Sequence, residues 1–411
     1  MSAARCPFDD PLAPDFVADP YPALGQARKD APVHYLPTLG MWLVTRYADV
    51  QAVLKDTATF TNANVQQPLF PFAPEVVALL NQRNFEPGPA LTGSDGALHK
   101  RLRQTVAKAL AFTPKGMADA ARLIGTEASH MVGNLPRSAP LDLVTELTSQ
   151  FPARIIFRLI GFPANMNDKL LSWCMDRLRM FWGHSSVEEQ LAIADGLASY
   201  WSYCEQFVAE SLEQPGNDIA GNLIRLRRDN PDDLSLREIA GILFGLVFAG
   251  QETTANALAQ MLWFLLEDRS RWERLIENRS LIDAAFSETL RLAPPIAGWR
   301  RYVARDAVIG GQPIRAGAHL LIHLGSTGHD QAKFAGADVF DLHRRDGGAH
   351  LAFGHGAHFC LGAPLAKLEA RGMLEALLTL EPNLALVPDQ RVDYVRNIAF
   401  RGPTSLLVER L

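Results

Sequence analysis

Cysteine is scarce in this chain of 411 residues. The four that occur, Cys6, Cys174, Cys204 and Cys360, form no Cys-x-x-Cys pair, and their spacing suits neither a zinc site nor a disulfide framework. A reducing, cytoplasmic setting is the simplest reading. Long hydrophobic runs are also missing. The longest, Ile239 to Gly250, is too short to span a bilayer and leads straight into Gln251-Glu252. The N-terminus is polar and proline-rich, without a signal core or an anchor. No repeat, low-complexity tract or Ser/Gly/Pro linker divides the sequence, which predicts one domain over 1–411. Neither sign of charge dominates: the net charge of −5 argues against nucleic acid as a bulk partner. What remains is 48% hydrophobic and 21% charged, a globular balance with ample material for a core.

The pattern of the chain is mainly α with small β-sheets near both ends. Trp42-Leu43-Val44-Thr45 reads as a strand and Asp49–Lys55 as a helix. Residues 62–98 read as a long loop with a short helix near 75–82, and long loops in compact domains are usually functional. From 99 to about 295 the periodicity is helical, punctuated by prolines. Strands follow over 299–323, with turns at Gly310-Gly311 and Ala316-Gly317. Residues 324–352 look irregular, a helix follows Cys360, and short strands close the chain.

Three segments carry chemistry. The first is Phe353-Gly354-His355-Gly356-Ala357-His358-Phe359-Cys360-Leu361-Gly362, a glycine-rich loop that sets Cys360 just ahead of a helical pattern. Free N–H groups and the positive helix end favour a thiolate there and lower its pKa. Cys6, Cys174 and Cys204 read as structural. The second is a helix of about 33 residues, or roughly 50 Å at 1.5 Å per residue, over 235–268. Ser235-x-x-Glu238 forms its capping box. Apolar nearly all round, it should be buried, yet its middle reads Ala249-Gly250-Gln251-Glu252-Thr253-Thr254. Glycine and a buried acid are costly there, and threonine hydroxyls compete for backbone carbonyls. The result is a polar notch able to hold a small ligand and a water. The third is a set of spaced pairs, Glu288-x-x-Arg291 and His99-x-x-x-Arg103, each on one helix face. Alone, either reads better as a solvated surface pair.

Taken together, these motifs resemble the cytochrome P450 family over essentially the whole chain. The resemblance implies the family's triangular helical prism, with the long central helix lying over a haem. It implies haem b, with Cys360 as the axial thiolate and Phe353, Gly354 and Gly362 shaping its loop. Ala249 and Gly250 would pass the other haem face, Thr253 would hydrogen-bond dioxygen or its water, and Glu252 would relay protons. His99, Arg103, Arg301 and His358 match the family's propionate donors, and Arg300 could exchange roles with Arg301. Glu288 and Arg291 match a scaffolding pair behind the cysteine loop. The family usually completes that pair with an arginine where this chain has Val339; His343, Arg344 or Arg345 could substitute.

The implied activity is a monooxygenase that takes two external electrons and oxidises a small, mostly apolar organic substrate. Phe70, Phe72, Leu91, Phe244, Phe248, Ile296, Ala297 and Ile398 would line the substrate pocket, although each could equally be core. A ferredoxin or flavodoxin with its reductase would supply the electrons, docking on a basic face of Lys100, Arg101, Lys108, Lys367 and Arg371. A monomer without membrane attachment is expected. A peroxide-driven peroxygenase and a non-catalytic haem-binding protein are the rival readings, and the intact Glu252–Thr253 pair argues against both.

Overall fold

The computed structural model describes residues 8–174 and 177–411, so Cys6 lies outside the described residues. Helices dominate, and the short strands gather into three sheets. The largest sheet runs Val33–Leu36, Met41–Val44, His319–His323, Gly298–Val303, Phe60–Thr61. Its pairings are antiparallel except Met41–Val44 against His319–His323. Successive side chains leave a strand on opposite faces. The neighbours Arg300 and Arg301, both buried in one strand, therefore point apart. Arg300 Nη2 donates to the carbonyls of Val65 (3.1 Å) and Gln67, pinning the loop that crosses this sheet. The two arginines consequently cannot exchange roles.

The single rod expected over 235–268 is instead two helices, Leu236–Gly250 and Glu252–Glu267, meeting at Gln251. The capping box is present: Glu238 N–H donates to Ser235 Oγ (3.1 Å) and Ser235 N–H to Glu238 Oε2 (2.8 Å). Polar side chains cause the break by taking backbone partners. Thr253 Oγ1 donates to the Ala249 carbonyl at 2.7 Å, and Gln251 Nε2 donates to the Ser149 carbonyl at 3.2 Å. Gly250 is tightly packed: a Cβ there would meet Ile156 Cγ1 at 3.1 Å and would need the isoleucine side chain to shift.

Each half is buried in its own apolar cluster. Ile239, Leu243 and Val247 pack with Phe157, Tyr200 and Trp201. Leu258, Met261 and Leu265 pack with Phe286, Leu374 and Leu377. Each such side chain contributes about 1.5–3 kcal/mol, enough in sum to hold a broken helix through the middle of the molecule. Among the described residues, no helix is long and apolar enough to cross a membrane.

One buried imidazole makes the fold acid-sensitive. His323 ends a strand and caps the next turn, with Nδ1 accepting from Ser326 N–H at 3.1 Å. Burial pushes its pKa down to about 3, and the nearby Arg401, Arg28 and His329 act in the same direction. An unfolded histidine titrates near 6.5. Between those values the unfolded chain binds a proton that the folded chain refuses. Stability is therefore full above about pH 6.5 and is lost as pH falls toward 3, by about 2 kcal/mol at pH 5. In urea unfolding at pH 7 and pH 5, His323→Asn should show an acid loss smaller by about that amount, because Asn keeps a capping oxygen without the titration. An identical loss in both proteins would exclude His323 as the source.

Candidate functional site

The cysteine loop is held by its own backbone. Cys360 N–H donates to the Phe353 carbonyl at 2.9 Å, and Gly354 N–H to the Leu351 carbonyl at 2.8 Å. Gly354 (φ 73°) and Gly356 (φ 71°) take left-handed conformations that other residues adopt only with strain. Gly362 precedes the helix Ala363–Leu380 without any side-chain cap. The N–H groups of Gly362 and Ala363 point instead at the Cys360 sulfur. Where the sequence predicts a depressed Cys360 pKa, desolvation of the sulfur by its surroundings raises it, outweighing the pull of those two N–H groups and of Arg103, although the residue keeps accessible surface.

The four expected anion donors form one cluster beside this loop. Arg103, on the helix Gly96–Leu110, donates through Nη2 to the Phe359 carbonyl at 2.7 Å. The His99 and His358 rings lie 3.8 Å apart between centroids. Burial lowers the pKa of both, His358 to about 4, with His99 and Arg301 adding to the effect on His358. Both are therefore neutral N–H donors at pH 7, and the charge comes from Arg103 and Arg301. Two members were invisible in the sequence. Asn62 Nδ2 lies 2.8 Å from His358 Nε2 and donates to Asp95 Oδ1 at 2.9 Å. Loop residues of this kind carry no periodic signature, and only the fold brings Asn62 to His358.

The donor set fits a haem. His99 Nε2 and Arg301 Nε are buried with no hydrogen-bond partner. Arg301 is nearly inaccessible, and burial pushes it down to about 10, against the pull of Asp95. Unsatisfied buried donors of this kind are what two carboxylates would occupy. Cys360 and Ala249 keep accessible surface, although one lies in the cysteine loop and the other deep in the central helix. Among the described residues, no group of three or more His, Cys, Asp or Glu could hold a bare metal ion. A single thiol suits an iron whose other ligands come with a macrocycle.

Behind the loop, Glu288 and Arg291 are both about 1% exposed. Arg291 Nε donates to Glu288 Oε1 at 2.9 Å and Nη2 to Oε2 at 2.8 Å. The third partner is Arg344, whose Nε donates to Glu288 Oε2 at 3.1 Å. Val339, exposed itself, contributes only its carbonyl, which accepts from Arg291 Nη2 at 2.9 Å. The guanidinium expected at 339 thus arrives from five positions further along the chain.

The supposed pocket residues differ in burial and packing. Phe248, Ala297 and Ile398 are buried and Ile296 is partly so. Phe72 packs edge-on to Phe181 (5.3 Å), and Leu91 sits in the short turn Leu91–Gly93. Phe244 is core, stacked on Tyr200 at 4.9 Å. Phe70 lines a surface pocket of about 320 Å³ with Leu12, Leu39 and His184. On the basic face, Arg101 is taken by Glu238 and Arg371 by Asp283, while Lys100, Lys108 and Lys367 remain exposed.

A mainly helical fold with, among the described residues, one accessible thiol and carboxylate-ready donors beside it defines a haem-binding class. The cytochrome P450 family model matches residues 31–380. Mycinamicin IV hydroxylase/epoxidase of Micromonospora griseorubida is 32% identical over 372 residues, covering 89% of each chain. Cytochrome P450 monooxygenase PikC of Streptomyces venezuelae is 31% identical over 386 residues, covering 91% of this chain and 87% of that protein. The solved cytochrome P450 CREJ, in complex with (4-ethylphenyl) dihydrogen phosphate, superposes with a TM-score of 0.92 at 33% identity, covering 96% of this chain and 98% of that one. A type IV self-sufficient cytochrome P450 monooxygenase superposes at 0.94 with 32% identity, covering 99% of this chain and 53% of its own. The chain belongs to the cytochrome P450 family. It is a haem protein and a monooxygenase.

Proposed function

We propose that the whole chain works as one haem domain in which Cys360 ligates haem b and Glu252 and Thr253 manage protons on the opposite face. Bound haem supplies dioxygen activation and the oxidising equivalent; the chain supplies binding, orientation and protons. The observation that carries this reading is the broken helix, where the Thr253 hydroxyl is fixed on the Ala249 carbonyl at 2.7 Å. With its own proton committed, the Thr253 oxygen offers lone pairs to a hydrogen-bond donor in the notch. Glu252, one residue earlier and only partly buried, can pass protons from solvent toward that point. Arg103, Arg301, His99 and His358 would hold the two propionates. The substrate is a small, mostly apolar organic molecule. Lys100, Lys108 and Lys367 offer a basic face to an acidic ferredoxin or flavodoxin.

Thr253→Ala should keep consuming electrons and dioxygen while product per electron pair falls by about tenfold or more and peroxide release rises to match. Unchanged coupling would remove Thr253 from the relay. An enzyme turning over faster with peroxide than with reduced ferredoxin and dioxygen would favour the peroxygenase reading instead.

A further inference from the structure

Arg177 stands where segments carrying the expected pocket residues Phe72, Phe248 and Ile398 come together. It opens the short helix Arg177–Trp182, and its Nη2 donates to Gln66 Oε1 at 3.0 Å. Its guanidinium carbon lies 4.2 Å from the Phe248 ring centroid, 5.0 Å from Phe181 and 5.1 Å from Trp182. Phe248 belongs to the central helix, one turn before Glu252. Trp182 packs on Phe400 at 5.2 Å, and its carbonyl accepts from Ile398 N–H at 2.9 Å. One cation is thus set by the Gln66 loop, the aromatic helix and the central helix, with the turn before Phe400 packed on Trp182.

A guanidinium set among aromatic rings needs a role. It has five N–H donors, and the Gln66 contact is the one hydrogen bond it makes among the described residues. No carboxylate there lies within 4.0 Å of it. Its other nitrogens are not sealed off as buried, unpaired atoms. The aromatic faces hold the planar cation in place without cancelling its charge. Burial pushes Arg177 down to about 10, opposed by the charge of Glu252, so it remains protonated at neutral pH.

We propose that Arg177 anchors an oxyanion, a carboxylate or phosphate, carried by an otherwise apolar substrate, so that this pocket selects an anionic molecule over its neutral analogue. The proposal rests on the monooxygenase reading and narrows its substrate class. Bulk attraction cannot provide such selection, since the chain itself carries −5. A fork of N–H donors in a desolvated setting can, because it matches two oxygens at once and the low dielectric strengthens the pair. The competing role is plain neutralisation of Glu252, and the two roles differ in how binding responds to ligand charge.

The test titrates haem-loaded protein with 4-isopropylbenzoate, 4-isopropylphenyl phosphate and methyl 4-isopropylbenzoate, followed by spin-state shift and calorimetry. The carboxylate should bind about tenfold or more tightly than its ester. Arg177→Gln should lower carboxylate affinity by about ten- to a hundredfold while the ester changes by less than about threefold. The phosphate arm ranks the two oxyanions against each other. Equal binding of acid and ester, equal loss of both in Arg177→Gln, or no binding of either anion overturns the proposal. The carbon monoxide spectrum of the same preparations tests the parent reading on its own. A thiolate-type spectrum with charge-blind binding sinks only the anion anchor.

Discussion

Cys360→Ser should give a folded protein whose reduced, carbon monoxide-bound spectrum has lost the thiolate red shift completely, with monooxygenase activity lost alongside it. The reason is electronic. A serine oxygen is a harder and far more basic donor than a thiolate, so it cannot push the same electron density onto iron. The fold has little stake in the sulfur, because Cys360 keeps accessible surface and its loop is held by backbone bonds to Phe353 and by the glycines at 354 and 356. Unfolding free energy should therefore stay within about 0.5 kcal/mol of the parent. A variant that retains the red shift would remove Cys360 from the iron. A variant that fails to fold, judged by circular dichroism and urea titration, would show that the loop depends on the sulfur in a way its contacts do not explain.

Glu288→Gln should be the most destabilising conservative change in the molecule. It preserves volume and removes one charge, and that charge faces two guanidiniums, those of Arg291 and Arg344. Nothing else nearby can take over, because Glu288 and Arg291 are both about 1% exposed and the other contacts of Arg291 are carbonyls. Breaking a buried pair from one side costs about 3–5 kcal/mol. Arg344→Ala should cost less, about 1.5–3 kcal/mol, since Arg291 keeps its carboxylate. Urea unfolding midpoints measure both, and haem retention on a desalting column offers a second readout. A Glu288→Gln loss below about 1 kcal/mol would mean that water reaches the pair after all.

The sequence was most legible where chemistry sits in short spacings. The cysteine loop, the Ser235–Glu238 capping box and the Glu288–Arg291 pair each lie within a few residues, and local geometry follows from such spacing. The helix break at Gln251 was half legible: the polar residues in the notch signalled competition for carbonyls, but the capture of Ser149 required a second helix. Arg344 could not be told from His343 and Arg345, and Asn62 and Asp95 were hidden, because their partners are brought to them by the fold. Arg177 was hidden differently: it lies in a helical stretch between Trp173 and Phe181-Trp182 with no spacing motif to single it out. The choice between Arg300 and Arg301 was decided by strand alternation, which a sequence fixes only once the strand register is known. Phe244 and Phe248 belong to the same helix and the same hydrophobic pattern, yet only Phe248 meets Arg177, a distinction that periodicity does not carry.

The helix Gly96–Leu110 grips two distant parts of the molecule within one turn. Arg101 holds Glu238 at the start of the central helix, and Arg103 holds the Phe359 carbonyl beside the thiol. It therefore acts as a gauge block: one stiff rod sets the gap between the central helix and the cysteine loop, the two walls that would enclose the haem. A change that tilts it, even far from the iron, must alter both walls together, so oxygen handling and thiolate geometry should drift in step.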